Sequence, residues 1–218
     1  MGECMFKGVI FDLDGVLLDS ERLNVRYKSS LAKKLGYNIT KKQFQKSLGL
    51  GKKEATQYYI DITGGDDTIY PKLSKYRREQ TRKYIERYGL PMKKHALEIL
   101  KYLHEKGIKV ALATSSSYEL LNFYFSHLDF SPLLDVIVSN DDVKKGKPNP
   151  DIFLKALEKL EMNKEDVCVV EDSINGLIAA KTCKLHTIFI EDQWKMTKEN
   201  EIYADYSFKD LLSLKNIL

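Results

Sequence analysis

Four carboxylates, a row of hydroxyls and a lysine stand directly after short apolar runs in this chain of 218 residues. Asp12 and Asp14 follow Gly8-Val9-Ile10-Phe11, and Thr114, Ser115 and Ser116 follow Lys109-Val110-Ala111-Leu112-Ala113. Glu171 and Asp172 follow Val167-Cys168-Val169-Val170, and Lys144-Lys145-Gly146-Lys147-Pro148 comes soon after Asp135-Val136-Ile137-Val138. Carboxylates gathered in one place repel one another and stay partly protonated unless a cation compensates them. Oxygen donors with no His or Cys cluster nearby suit Mg²⁺, which commonly combines carboxylates with water and substrate phosphate. Hydroxyls and a lysine suit phosphate oxygens, and a helix starting after Thr114-Ser115-Ser116 would add free N–H groups. An ionised aspartate such as Asp12 can attack phosphorus and form an aspartyl-phosphate. Asp14, two residues on, is placed to protonate the leaving oxygen and then to deprotonate the attacking water.

This chemistry requires a fold that brings the runs side by side. Each run is about 4–5 residues long and nearly continuously apolar, as strands buried on both faces must be; a fifth is Thr187-Ile188-Phe189-Ile190. Helical patterns separate them at His95 to Lys106, Tyr118 to His127, Pro150 to Leu160 and Ile174 to Lys184. Such alternation predicts an α/β fold, a Rossmann-like parallel sheet with helices on both faces. Ligands in open sheets of this kind bind beyond the carboxyl ends of the strands, where the candidate residues stand.

One interval breaks the alternation. Glu21 to Leu35 repeats Leu23, Tyr27, Leu31 and Leu35 at helical spacing and is expected to stop at Gly36. Lys52 to Ile62 and Tyr70 to Tyr88 are further helix candidates, divided by Thr63-Gly64-Gly65-Asp66-Asp67. The expected organisation is a core in two parts, residues 1–18 and 91–218, with an inserted α-helical cap at 19–90. Asp19 and Ser20 read as helix caps, and the insert's aromatic residues read as packing. Asp141 and Asp142 read as a solvated loop, and Trp194 receives no role.

A hydrophobic fraction of 43% with 30% charged residues excludes a disordered chain. No apolar run approaches the roughly 18 residues needed to span a bilayer, and the first residues lack the apolar stretch of a secretory signal. Cys4, Cys168 and Cys183 are few and scattered, which predicts reduced thiols in a cytoplasmic protein. The net charge of +4 is uneven: residues 19–90 hold 17 Lys/Arg against 8 Asp/Glu, and the rest hold 18 against 23. An acidic core under a basic insert favours a small anionic substrate over nucleic acid.

Phe11-Asp12-Leu13-Asp14-Gly15-Val16-Leu17-Leu18-Asp19-Ser20 resembles the first signature of the haloacid dehalogenase-like hydrolases. Thr114, Lys147-Pro148 and Glu171-Asp172-Ser173-Ile174-Asn175-Gly176 fall in the order of that family's other three signatures. The resemblance is strongest to the subgroup of beta-phosphoglucomutases and sugar-phosphate phosphatases with a helical cap. It implies Asp12 as nucleophile, Asp14 as acid/base, and Thr114 and Lys147 on the phosphate, to which Ser115 is added as a further phosphate contact. It also implies Mg²⁺ held by Asp12, Asp172, the Asp14 carbonyl and Glu171. Where the subgroup's mutases carry a His, this sequence has Asn24; their cap-loop Lys is replaced within Leu48-Gly49-Leu50-Gly51-Lys52, and their Arg becomes Lys52. Asn24 and Lys52 are therefore the candidate specificity residues. A Mg²⁺-dependent phosphatase acting on small phosphomonoesters, sugar phosphates first among them, is preferred to a phosphosugar mutase. A non-enzymatic phospho-accepting receiver module is the remaining alternative; such modules are shorter and lack a helical insert. The expected partner is a small phosphorylated metabolite, with no nucleic acid and no membrane, and the expected state is a monomer.

Overall fold

Strand β1, Gly8–Phe11, is wholly buried and lies in the middle of the molecule. It is flanked by β2, Lys109–Ala113, on one side and β4, Val167–Glu171, on the other. With β3 at Val136–Val138, β5 at His186–Ile190 and β6 at Tyr206–Phe208, the order across the sheet is β3-β2-β1-β4-β5-β6, and every pairing is parallel. The structure, a computed structural model, describes residues 5–218; Cys4 lies outside the described residues. Among the described residues no helix is long and apolar enough to cross a membrane.

Strand residues alternate between two faces. Val9, Phe11, Val110, Leu112, Cys168 and Val170 point into one cluster, where helix α5, Ala96–Glu105, contributes Ile99, Leu100 and Leu103 and helix α6, Tyr118–His127, contributes Leu121 and Tyr124. Ile10, Ala111, Ala113, Val138, Val167 and Val169 point into the other, covered by α7, Asp151–Leu160, and α8, Ile174–Thr182. The register decides what happens at the strand ends. Phe11 pairs with Leu112 on one side and Val170 on the other, so Asp12, Ala113 and Glu171 stand at one level on three adjacent strands, with Thr114 and Asp172 one residue beyond.

Between β1 and α5 the chain forms α1, Ser20–Lys34; α2, Lys41–Lys46; α3, Lys52–Ile62; and α4, Ile69–Tyr88. Their side chains Val25, Ala32, Phe44, Tyr59, Ile69 and Leu73 make a core of their own. Tyr59 is its centre, stacked on Tyr70 with ring centroids 5.6 Å apart and edge-on to Tyr58. The expected packing role of Phe44, Tyr58 and Tyr59 agrees with this. The two connections to the sheet run together: Asp19 N–H donates to the Pro91 carbonyl, Lys93 N–H donates to the Leu17 carbonyl, and Leu18 bridges Met92 antiparallel. Near the end of α4, Ile85 already packs into the core of the sheet.

One expectation needs correction. The α1 stripe is not Leu23-Tyr27-Leu31-Leu35: the buried residues are Leu23, Val25, Lys28 and Ala32, and Leu35 is exposed. The buried face is turned toward Lys28, whose charge hides it from an apolar count. Asp141 and Asp142 lie at the surface in a short turn, Asp141 exposed; Asp141 accepts from the Tyr118 N–H and Asp142 from the Tyr118 hydroxyl and the Ser139 N–H, tying the end of β3 to the start of α6. The helix after β2 begins beyond Thr114-Ser115-Ser116, as expected, and is capped by Ser117.

Candidate active site

A cavity of about 740 Å³ opens over the carboxyl ends of the strands, beneath the helical segment. Asp12, Asp14, Ser115, Lys147, Glu171 and Asp172 line it from the sheet side, and Asn24 and Lys52 from the helices. Thr114, 1% exposed, is folded behind the wall, and its Oγ1 accepts the Ser116 N–H at 3.1 Å.

Lys147 is the hub. Its ammonium donates to Asp12 Oδ1 at 2.5 Å, to Glu171 Oε1 at 2.6 Å and to the Ala113 carbonyl at 3.1 Å, and it lies 4.9 Å from the centre of the Phe153 ring. Burial works against the charge, but Asp12 and Glu171 outweigh it and hold the lysine above its ordinary pKa. Lys144 and Lys145, the neighbours of Lys147 in the same loop, do not line the cavity.

The second oxygen of Glu171 is fully engaged: Oε2 accepts from the Asp172 and Ser173 N–H groups at 3.1 Å each and from the Ser173 hydroxyl at 2.9 Å. Ser173 meanwhile caps α8 by accepting the Gly176 N–H. This arrangement needs glycine at 176, because a Cβ there would fall 1.9 Å from Glu171 Oε1. Gly15 has a comparable role. Its φ of +87° suits glycine, and a Cβ would fall 2.0 Å from Asp172 Oδ2.

Asp14 is oriented by two hydroxyls, Ser20, expected to be a helix cap, and Ser116, expected only among the hydroxyls after β2. Ser20 Oγ donates to Oδ1 at 2.6 Å and Ser116 Oγ to Oδ2 at 3.1 Å. Ser20 thus serves the site and not the helix end, and Asp19, the capping residue by position, pairs with Arg22 instead. Only proximity to the acidic motif could have drawn attention to Ser20. Trp194 also lines the cavity, edge-on to Phe189 with centroids 5.2 Å apart.

Asp12, Glu171 and Asp172 each offer a carboxylate oxygen within 4.8 Å of the others. Burial pushes Asp12 up to about 8, with Lys147 pulling it down and Glu171 and Asp14 adding to the rise. Burial, Glu171 and Asp12 drive Asp172 well above the usual carboxylate range. Three carboxylates facing one ammonium leave two negative charges without a partner. An all-oxygen donor set with that deficit fits a hard divalent cation.

The helical wall holds residues that the sequence reading passed over. Glu21, Lys28, Tyr70, Ser74 and Arg77 all line the cavity. Asn24 Nδ2 donates to Glu21 Oε2 at 2.9 Å. The loop before α3 touches the core, where Asn175 Nδ2 donates to the Gly49 carbonyl at 2.7 Å.

Comparison with known proteins agrees with this geometry. The profile of a family described as haloacid dehalogenase-like hydrolase matches residues 9–190. A phosphorylated carbohydrates phosphatase of Thermotoga maritima is 32% identical over 183 residues, covering 84% of each chain. A (DL)-glycerol-3-phosphatase of Arabidopsis thaliana is 30% identical, covering 95% of this chain and 71% of its own. Among solved structures, a candidate beta-phosphoglucomutase of Thermotoga maritima is 30% identical with a TM-score of 0.75, covering 98% of this chain and all of its own. The chain belongs to the haloacid dehalogenase-like hydrolase family, and within it to the phosphoric monoester hydrolases.

Proposed function

We propose that the protein hydrolyses small phosphomonoesters, with sugar phosphates the favoured class, through an aspartyl-phosphate on Asp12. The observation that carries this reading is the pair Asp12 and Asp14. One is pinned by a buried ammonium and the other by two hydroxyls, and both face a single cavity.

Lys147 holds Asp12 Oδ1, which leaves the other oxygen to form a bond to phosphorus as the ester P–O bond breaks. Asp14, protonated at this stage, gives its proton to the departing alkoxide. In the second half a water attacks the aspartyl-phosphate, Asp14 takes the water's proton, and inorganic phosphate leaves with Asp12 restored. The Ser20 and Ser116 hydroxyls keep the Asp14 carboxyl in one orientation throughout. Ser115 and the N–H groups at the start of α6 lie where phosphate oxygens would be received, and Lys147 offsets the charge that develops on them. Thr114 supports this loop from behind through the Ser116 N–H. Asp12, Asp172 and Glu171, with the Asp14 carbonyl, are the residues that would hold Mg²⁺. When bound it would neutralise the surplus of carboxylates and of phosphate charge. The hydrogen bond from Asn175 to the Gly49 carbonyl ties the loop before α3 to the sheet side of the site.

The test is turnover of a panel of phosphomonoesters with Mg²⁺ by the natural protein and by Asp12→Asn. Turnover in the variant should fall by about 10³-fold or more, and a phospho-enzyme should be trapped only in the natural protein. Wild-type rates in Asp12→Asn would overturn the assignment. Repeating the panel with a hexose bisphosphate primer separates release of phosphate from isomerisation, the outcome that the mutase alternative requires.

A further inference from the structure

The helical wall of the cavity contains two cations that the fold itself does not satisfy. Lys28 is only 6% exposed, and its ammonium lies 5.7 Å from the ring centres of Tyr59 and Tyr70. Arg77 comes from α4 to the same wall, and its Nε is buried without a hydrogen-bond partner. Among the described residues neither cation is within ion-pair distance of a carboxylate; Glu21, the acidic group that acts on both sides of this wall, is hydrogen-bonded to Asn24 instead. Asn24 Oδ1 is a buried acceptor with no donor. A buried ammonium beside a half-buried guanidinium whose Nε has no partner is a costly arrangement for a helical core, and aromatic faces offset only part of it. The cost is recovered when an anion enters and makes charge-assisted hydrogen bonds with both. Lys28 and Arg77 line the same cavity as Asp14, the carboxyl that would protonate the leaving oxygen.

We infer that Lys28 and Arg77 form a second anion subsite, which binds a negatively charged group on the leaving-group side of the ester, while Asn24 Oδ1 accepts a hydroxyl next to it. The inference rests on the phosphatase reading for the direction in which the ester lies. It narrows the substrate class to hydroxylated phosphomonoesters whose leaving group carries its own anion. That anion is a carboxylate or a second phosphate; both offer the same oxygens to an ammonium and a guanidinium.

The experiment is calorimetric titration of the Asp12→Asn protein with three esters: glycerol 3-phosphate, whose leaving group is neutral; 3-phosphoglycerate, which adds a carboxylate; and fructose 1,6-bisphosphate, which adds a phosphate. At least one of the two charged esters should bind ten-fold or more tighter than glycerol 3-phosphate, and the tighter of them identifies the anion. Adding Lys28→Met or Arg77→Gln should each cut that ratio by at least three-fold, and both together should bring it within two-fold of unity. Arg77→Lys should restore part of it. Arg77 is only half-buried, so its variants serve if Lys28→Met does not fold. Equal affinity for all three esters, or a preference that survives both substitutions, overturns the subsite. If the natural protein hydrolyses none of the esters while the Lys28- and Arg77-dependent preference stands, the phosphatase reading fails and the subsite is retained.

Discussion

On the sheet side of the cavity the functional groups stand at or beyond strand ends, and Asp12, Asp14, Lys147 and Glu171 are each met by a partner, whereas on the helical side the groups project from the faces of α1 and α4 and several have none. Lys147 bonds two carboxylates and a carbonyl; Arg77 Nε and Asn24 Oδ1, both buried, bond nothing. The difference follows from what each side must accomplish. The chemical step needs groups fixed in place beforehand, and a parallel sheet in register supplies fixed points. Selecting an ester needs groups whose partners arrive with the ester, and a separate helical core can hold them at the cavity without involving the sheet.

The comparison is broken or sharpened by substitutions on either side. Lys147→Met should be the most damaging. It strands Asp12 and Glu171 without a counter-charge, so turnover should fall about 10³-fold and stability in metal-free buffer at pH 7 by about 3 kcal/mol, read from kinetics and urea unfolding. Gly176→Ala should come next, at roughly 2 kcal/mol, because the methyl group and Glu171 Oε1 claim the same space; turnover should drop with it. Lys28→Met should have the opposite sign, a gain of about 1 kcal/mol, since it removes a buried cation lying against Tyr59 and Tyr70. An equal loss in Lys28→Met and Lys147→Met would erase the distinction between the two sides.

The smallest effect belongs to a pair remote from both. Burial works against the Asp205 carboxylate, but Lys181 and the Thr187 N–H together hold its pKa below the ordinary value. A carboxylate depressed in the folded protein contributes stability that is complete above its unfolded pKa of about 4. That contribution is lost as pH falls through the folded value. About a third of the side chain is exposed, so Asp205→Asn should cost no more than about 1 kcal/mol at pH 7. It should flatten the loss of stability below pH 4 and leave turnover unchanged.

The same contrast explains which parts were legible in the sequence. Strands buried on both faces must be continuously apolar, so Val9, Ile10 and Phe11 could not disguise themselves, and the polar residues after each run stood out. The short helix α2 was missed because six residues are too few for a period; its one signal was Thr40 and Gln43, which form a capping box. Strand β6 is three residues at the edge of the sheet and carries Ser207 between two aromatics, which leaves almost no pattern to detect. Lys28 and Arg77 were unreadable for another reason. A lysine on a helix ordinarily faces water, and only the tertiary packing of α1 against α4 turns this one inward. Ser20 and Ser116 likewise acquire their role only when the Asp14 side chain comes between them.

The ribbon formed by Leu17–Asp19 and Pro91–Lys93 has a consequence for how this chain can be altered. Its two strands are hydrogen-bonded neighbours, so the core experiences the whole helical segment as if it were the tip of a tight hairpin. The entropy of closing that loop rises only slowly with its length. Segments of very different size could therefore be exchanged at this point, each bringing its own selection of ligands, without re-registering β1 against β2 or β4. The sheet and its carboxylates would then serve as a fixed socket, and the ribbon as the standard fitting through which new specificities are attached.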